Sequence, residues 1–215
     1  LEEFGVNPLM YEYVFDKAWD YSITDEAWMK AWADRRVGSE NNAVREAWLT
    51  MYDKIYKSTA VLGQGTLTNT RPCLENHGTW TTRPHIKYDN KTLFAIWKQL
   101  LENDSKRASY MYDVVNIGRQ VISNYFLTVR NRFTQAYKNK DLATMRKEGM
   151  EMTEILDDLD CLLSSHSSLL FGKWLQDASQ FGVNEDEVAY YRKNARCLLT
   201  TWGEKGASLN DYANR

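Results

Sequence analysis

Two adjacent carboxylates, Glu2 and Glu3, stand near the start of the sequence, ahead of a loop-like stretch at residues 4–7 and a helical pattern that begins at Pro8. Carboxylates can act as nucleophiles, acids or bases in hydrolytic enzymes. Acidic residues beside a loop are also typical of a solvated surface. The residue types alone therefore favour surface charges, with a catalytic role as the alternative.

Aromatic residues are the second group that could contact a ligand. The sequence has eight tryptophans and thirteen tyrosines, and their flat apolar faces could stack on sugar rings. Trp202 ends its helical pattern just before Gly203 and a polar stretch, which makes it a candidate for ligand contact. Five other tryptophans fit apolar helical stripes and are predicted to lie in the core: Trp28, Trp32, Trp48, Trp97 and Trp174.

Motifs for metal, phosphate or activated-nucleophile chemistry are absent from the sequence. It contains no glycine-rich phosphate loop and no HExxH, CxxC or GxSxG pattern. The three histidines have no ligand-spaced neighbours, and the three cysteines are an odd number at unrelated spacings. We therefore expect no metal and no cofactor, and we predict that Cys161 and Cys197 are buried free thiols.

Charge and hydropathy exclude two kinds of partner. The 27 basic and 29 acidic residues leave a net charge of −2, which gives no electrostatic reason to expect nucleic acid or an anionic membrane. No apolar run approaches the roughly 20 residues that a membrane-spanning helix needs. The sequence therefore predicts neither a nucleic-acid partner nor a membrane partner.

Helical patterns cover almost the whole sequence, so the predicted fold class is all-α. These helices must position the candidate residues. Thr24 before two acidic residues, and Asn184 after Gly182, are typical signals for the start of a helix. The two longest helical patterns, at 109–139 and 142–165, each carry an apolar stripe and are joined by a short connection. We therefore expect these two helices to pack antiparallel. The apolar spacing predicts helices at 8–20, 25–36, 41–58, 90–103, 109–139, 142–165, 168–181 and 185–202.

Residues 59–88 break this pattern, with several glycines and prolines and no apolar period. An irregular segment of this length is uncommon in a compact helical domain, and is usually functional or packed against another part of the protein. The chain lacks an initiator Met and stops in what reads as a polar helix start. We therefore expect a fragment of a longer protein, with an apolar surface near residues 59–88 and on the first helix.

The first eleven residues resemble a motif of glycoside hydrolase family 89, the α-N-acetylglucosaminidases. In that motif a glutamate precedes an Asn by five positions and a Tyr by nine, as Glu2 precedes Asn7 and Tyr11. Glu3 departs from the glycine that usually follows the glutamate. Further similar stretches follow in order at residues 71–72, 112–120, 159–160, 170–175, 191–196, 201–203 and 211–214, with one extra residue before the last.

The resemblance implies a three-domain enzyme: a small N-terminal domain, a (β/α)₈ barrel and a C-terminal all-α domain. Residues 1–21 would be the last loop and helix of a barrel that is otherwise absent from this chain, and residues 22–215 would be the all-α domain. Glu2 matches the catalytic nucleophile, at the C-terminal end of a barrel strand. Trp202 and Tyr212 match substrate-binding positions in the wall of the sugar pocket.

The implied reaction is retaining hydrolysis of a terminal α-linked N-acetylglucosamine from a glycan, without metal or cofactor. One carboxylate attacks the anomeric carbon, and a second protonates the leaving oxygen and then activates water. By the resemblance, the second carboxylate belongs to the barrel that this chain lacks, so the isolated chain is expected to be inactive. The resemblance also implies an extracytoplasmic location.

Two other interpretations compete with this one. A stand-alone helical module could bind carbohydrate or act as a scaffold, although such a module would not begin with a catalytic barrel segment. A helical solenoid that binds other proteins would show a repeat of fixed period, and the sequence has none.

Overall fold

The structure is a computed structural model that describes residues 7–57, 74 and 86–199. Every regular element within these ranges is a helix, which confirms the predicted all-α class. No described helix is both long and apolar enough to cross a membrane. The α-helices are α1 Pro8–Trp19, α2 Asp25–Val37, α3 Asn42–Met51, α4 Asn90–Leu101, α5 Ala108–Lys138, α6 Leu142–Ser164, α7 Phe171–Ser179 and α8 Glu185–Leu199.

Side-chain caps explain where most helices begin. The residue before each of α1, α2, α3, α4 and α6 accepts a hydrogen bond from a backbone N–H of the first turn, which satisfies a donor that the helix leaves free. These caps are Asn7, Thr24, Asn41, Asp89 and Asp141. Helix α2 ends at Gly38, whose φ of 90° lies in the left-handed region that favours glycine.

Two predicted helices are interrupted in the structure. The helix predicted at 41–58 ends as an α-helix at Met51 and continues as the π-helical turn Tyr52–Tyr56. The helix predicted at 168–181 is preceded by the short 3₁₀ helix Ser167–Leu169, which His166 caps by accepting from the Ser168 N–H. Leu170 is extended (φ −78°, ψ 122°), so α7 has to start again after it.

The chain forms two compact units whose boundary falls within α5. The first unit consists of Leu1–Thr59 and Lys87–Val121, and the second of Ala60–Ile86 and Ile122–Arg215. The division predicted from the sequence, between residues 21 and 22, separates the end of a barrel from the all-α domain. It is based on the family resemblance and remains a prediction.

The core of the first unit is built on aromatic packing. Trp28 and Trp32 are stacked four residues apart on α2, with ring centroids 6.2 Å apart, and Trp48 of α3 meets Trp32 edge-on at 4.4 Å. All three are at most 3% exposed, as predicted. Trp97 on α4 is partly buried and donates to the Val114 carbonyl of α5 at 2.9 Å.

Gly118 explains how closely α4 and α5 pack within the first unit. A Cβ added at Gly118 would lie 2.5 Å from Cζ2 of the Trp97 ring. A larger residue would therefore push the indole away, so the backbone of α5 approaches the ring because this position has no side chain.

The second unit pairs α5 and α6 along a shorter core. Phe126 and Val129 of α5 pack with Ile155 and Leu159 of α6. Nearer the connecting turn, Arg132 Nε donates to Glu148 at 2.7 Å. Since later residues of α5 meet earlier residues of α6, the predicted antiparallel pairing is confirmed. Helices α7 and α8 pack on each other and bury Leu175 and Ala195.

Two predictions of burial in the second unit are wrong. Trp174 is 46% exposed, because the short helix α7 buries the adjacent position Leu175, about 100° away around the helix. Cys161 is exposed, because it lies two residues, about 200°, beyond the buried Leu159 of α6. Cys197 is half-buried.

Helix α1 carries an exposed apolar face, as expected for the first helix. Its residues Met10, Val14 and Phe15 are each at least half exposed, and Trp19 is 96% exposed. Leu9 alone on this helix is buried. The expected surface at residues 59–88 lies largely outside the described residues.

Candidate functional site

The residues singled out for chemistry fall at the two ends of the chain. Glu2, Trp202 and Tyr212 all lie outside the described residues. Two further members of the motif that contains Glu2, Asn7 and Tyr11, belong to the start of α1. Glu2 precedes Asn7 by five residues in the sequence. Asn7 is therefore the described residue of this motif that is closest to Glu2 along the chain.

Asn7 joins the first turn of α1 to the π-helical turn that follows α3. Its Oδ1 accepts a hydrogen bond from the Met10 N–H at 3.3 Å and another from the Tyr56 hydroxyl at 3.2 Å. Asn7 thus does two things: it caps the helix, and it receives a contact from a residue 49 positions later in the chain. Asn7 Oδ1 therefore has one partner within α1 and one in the turn that follows α3.

Tyr56 lies at the end of the π-helical turn that continues α3. Isolated π turns are rare and often accompany functional sites, because the wider turn changes the direction of the side chains that follow. The turn Tyr52–Tyr56 contributes two tyrosines, one at each end. Tyr52 donates to Asp25 Oδ2 at 2.5 Å, and Tyr56 donates to Asn7. One short turn therefore contacts both the cap of α1 and the first residue of α2.

Asp25 is a second convergence point, between α1 and α2. It accepts from Tyr52 and from Tyr13 (2.8 Å), and Lys17 lies 3.1 Å from it. The hydrogen bonds from Tyr52 and Tyr13, with the Lys17 charge, lower the pKa of Asp25 to about 2. The bond to Asp25 raises the pKa of Tyr52 above its usual value. The hydrogen bonds of this cluster join α1 to α2 and to the π-helical turn.

Among the ion pairs of the described residues in the first unit, the most buried one joins Arg36 of α2 to Asp113 of α5. Arg36 donates through Nε and Nη2 to both carboxylate oxygens of Asp113 at 2.7 Å, and through Nη2 to the Ser109 carbonyl at 3.0 Å. Burial raises the pKa of Asp113 to about 6, although Arg36 acts in the opposite direction. Burial alone would lower the pKa of Arg36, but the pairing with Asp113 raises it. Asp113 belongs to the similar stretch at 112–120, so this position of the motif joins α5 to α2.

The similar stretches of the second unit also contribute buried packing positions. Leu159 of the pair at 159–160 and Leu175 at the end of 170–175 are each 6% exposed, and Ala195 in the stretch 191–196 is 5% exposed. Trp174, which precedes Leu175 in the stretch 170–175, is exposed. The three buried positions of the similar stretches therefore contribute to helix packing.

Sequence reasoning missed Tyr56, Asp25 and Arg36. Tyr52 and Tyr56 are four residues apart at the end of a helical pattern, and this spacing could have indicated a role for Tyr56. The same spacing also fits an ordinary apolar stripe of a helix. The pairing of Arg36 with Asp113 spans 77 residues, and no local pattern indicates it. Within the described ranges, no group of histidine, cysteine and carboxylate side chains could hold a metal ion.

Comparison with known proteins adds the relation to a family. The α-N-acetylglucosaminidase (NAGLU) C-terminal domain matches residues 28–215. The α-N-acetylglucosaminidase of Homo sapiens is 28% identical over 220 residues, a match that covers all of this chain and 29% of the human protein. The chain thus spans less than a third of the length of this relative.

Solved structures of a family 89 glycoside hydrolase from Clostridium perfringens have the same fold over 97% of this chain and 25% of theirs. One, in complex with 2-acetamido-1,2-dideoxynojirimycin, has a TM-score of 0.85 at 28% identity. Another has a TM-score of 0.87 at 28% identity; it carries two glutamate-to-glutamine substitutions and holds its substrate, GlcNAc-α-1,4-galactose.

Proposed function

The chain belongs to the α-N-acetylglucosaminidases, glycoside hydrolase family 89, and from this premise we propose that the protein containing it releases terminal, non-reducing α-linked N-acetylglucosamine from glycans. The observation that carries the proposal is the Clostridium perfringens enzyme bound to GlcNAc-α-1,4-galactose, whose fold matches this chain with a TM-score of 0.87. The proposed partner of the chain is a catalytic barrel in the same polypeptide, with residues 1–21 as its end and residues 22–215 as the all-α domain.

Glu2 is the proposed nucleophile, for a reason of stereochemistry. In an α-linked N-acetylglucosaminide the acetamido group at C2 lies on the same face of the ring as the leaving oxygen. It cannot attack the anomeric carbon from behind, so retention requires a nucleophile from the protein. Glu2 occupies the position of the family motif where such a carboxylate is found. The replacement of two glutamates in the substrate-bound relative is in keeping with a reaction that needs two carboxylates.

The second carboxylate lies on the proposed barrel, outside this chain. In retaining glycosidases the two carboxyl groups stand about 5 Å apart, and the second protonates the leaving oxygen and then activates water. Carboxylates supply both the nucleophile and the proton, so the mechanism has no step that requires a metal or an organic cofactor. The isolated chain is proposed to be inactive, since it has no proton donor opposite Glu2.

Trp202 and Tyr212 are the proposed substrate-binding residues of the all-α domain. An aromatic face can pack on the apolar side of a pyranose ring, and a tyrosine hydroxyl can hydrogen-bond to a sugar hydroxyl. Contacts of this kind hold the substrate equally in the ground state and the transition state, so their loss should weaken binding more than chemistry.

The test is the activity of full-length variants on an aryl α-N-acetylglucosaminide. Glu2→Gln should lower kcat by about a thousandfold or more, because an amide cannot attack the anomeric carbon. Trp202→Ala and Tyr212→Phe should mainly raise KM. Glu3→Gln is the matched control and should retain most activity. Loss of activity in Glu3→Gln with near-normal turnover in Glu2→Gln would refute the assignment of the nucleophile.

A further inference from the structure

We infer that Asn103 is a site of N-linked glycosylation, used in preference to Asn90, when the protein passes through the secretory pathway of a eukaryotic cell. The inference rests on the extracytoplasmic location that the family resemblance implies, and it is independent of the assignment of the nucleophile. The observation that carries it is a difference between two side-chain amides. The fold leaves the amide nitrogen of Asn103 open, whereas the amide nitrogen of Asn90 joins two helices.

The sequence contains two asparagines in the pattern Asn-x-Ser/Thr, where x is not proline. They are found in Asn90-Lys91-Thr92 and Asn103-Asp104-Ser105. This pattern is the acceptor for N-linked glycans in secreted proteins, and both positions fit it equally well. Short patterns of this kind also occur by chance, so the surroundings of each asparagine in the fold have to separate the two.

Asn103 lies in the turn that follows α4, and its hydrogen bonds fix the turn without using its amide nitrogen. Its backbone N–H donates to the Leu100 carbonyl at 3.1 Å, and its Oδ1 accepts from the Ser105 N–H at 2.9 Å. Glu102 and Asp104, on either side, are exposed. Within the described residues Nδ2 has no acceptor, and it is not one of their buried unpaired polar atoms. The nitrogen that would carry a glycan is therefore open to solvent.

The third residue of this pattern, Ser105, holds the turn against the end of α2. The Ser105 hydroxyl donates to the Val37 carbonyl at 2.8 Å and accepts from the Arg107 N–H at 3.4 Å. Neither bond involves the side chain of Asn103. A sugar on Asn103 Nδ2 would therefore leave the attachment of the turn to α2 intact.

The side chain of Asn90 is engaged in the contact between α4 and α5. Asn90 is the first residue of α4, and its Nδ2 donates to the Val121 carbonyl of α5 at 3.1 Å in a partly buried contact. A sugar on this nitrogen would have to fit beside the backbone of α5, and it would replace one of the two hydrogens available for the bond. Glycosylation of Asn90 would therefore weaken the packing of α4 on α5.

The modification is the transfer of an oligosaccharide from a lipid diphosphate by the oligosaccharyltransferase of the cell. The bond from sugar C1 to the diphosphate oxygen breaks, a bond from C1 to Asn103 Nδ2 forms, the amide nitrogen loses a proton, and the lipid diphosphate leaves. Because the transfer acts on the chain before it has folded, the fold selects which modified chains mature. Chains modified at Asn90 should fold less well and be under-represented in the secreted enzyme.

The experiment maps both asparagines in the full-length enzyme secreted from cultured eukaryotic cells. Enzymatic removal of N-glycans in H₂¹⁸O converts each glycan-bearing asparagine to an aspartate that contains the heavy oxygen, which mass spectrometry of the peptides detects. Most copies of Asn103 should carry the label, and Asn90 should carry clearly less.

Three variants provide the controls. Asn103→Gln and Ser105→Ala should each abolish the modification at this turn by removing a different residue of the pattern. Ser105→Thr should keep the modification, because it keeps the hydroxyl that the pattern needs. Thermal midpoints of the variants show whether the turn stays folded.

Labelling of Asn90 that equals or exceeds that of Asn103 would overturn the inference, and so would unmodified Asn103 in the wild-type enzyme, whether secreted or kept in the cytosol. A modification that persists in Ser105→Ala would contradict its assignment to the sequence pattern. Activity on an aryl α-N-acetylglucosaminide, measured on the same samples, separates this inference from the proposed function. An active enzyme with unmodified Asn103 removes only the glycosylation site, and an inactive enzyme with glycosylated Asn103 removes only the proposed function.

Discussion

The two units of the chain reach their stability by different routes. In the first unit, α2, α3, α4 and the start of α5 enclose a core of stacked tryptophans in which Trp32 and Met29 are fully buried. In the second unit, the described buried cluster consists of Phe126, Val129, Ile155 and Leu159, with partly buried neighbours. One unit has a broad aromatic core, and the other is a pair of long helices with a narrow apolar seam.

The two units also differ in where their exposed apolar side chains lie. Helices α6 to α8 and the turn between α7 and α8 leave large apolar side chains in water: Leu142 and Met150 are each 65% exposed, Phe181 72% and Tyr190 64%. In the first unit, the exposed apolar residues are concentrated on α1 and just after it. The same helical spacing of apolar residues therefore has two outcomes. In the first unit most of these side chains are buried in one core, and in the second unit many of them are exposed.

Tryptophan truncation should show the largest difference between the units. Trp32→Ala removes a ring that is 0% exposed and packs on Trp48, so it should destabilise the protein by about 3–5 kcal/mol. Trp174→Ala removes a ring that is 46% exposed and should cost less than about 1 kcal/mol. Chemical denaturation of the two variants measures both values, and equal losses would contradict the contrast between the cores.

A smaller difference should appear in the dependence of stability on pH. Because the pKa of Asp113 is raised to about 6 in the folded state, its contribution to stability is fully present below its unfolded pKa of about 4 and is lost as the pH rises through 6. The second unit should lack this slope, since the pKa of Glu151 is lowered by its bonds to Tyr125 and Arg132.

Hydrogen exchange between pH 4 and 7, corrected for its intrinsic rate, measures this dependence separately in α2 and α6. Protection of α2 should fall as the pH rises from 4 to 6, and Asp113→Asn should flatten the dependence. The pKa of Asp25 is lowered to about 2, so this residue stays ionised throughout the range. Protection of α2 that rises over this range, or a slope that persists in Asp113→Asn, would contradict the assigned cause.

The helices could be predicted from the sequence because their signals are local. Apolar spacing and caps such as Thr24 and Asp141 depend on a few neighbouring residues, and the predicted bounds of α1, α2, α4, α5 and α6 agree with the structure to within two residues. The π turn at Tyr52–Tyr56 was missed because its pattern is the same as that of a continuing α-helix over one turn.

Contacts and exposure were harder to predict because they depend on distant parts of the chain. An apolar stripe identifies a face but not whether another element covers it, which is why Trp32 is buried and Trp174 is exposed. The bonds from Arg36 to Asp113 and from Tyr56 to Asn7 join residues 77 and 49 positions apart. The catalytic and substrate-binding roles of Glu2, Trp202 and Tyr212 come from the family motif, and packing physics alone favoured a surface charge at Glu2.

The most direct test of the proposed function is to trap its covalent intermediate. The full-length enzyme would be incubated with an α-N-acetylglucosaminyl fluorosugar that has a good leaving group and reacts slowly with water, then digested and sequenced by tandem mass spectrometry. Because a retaining enzyme forms a glycosyl ester on its nucleophile, the sugar mass should be found on Glu2 and be absent from Glu3. A label on Glu3 or on any other residue of the protein would contradict the proposed mechanism.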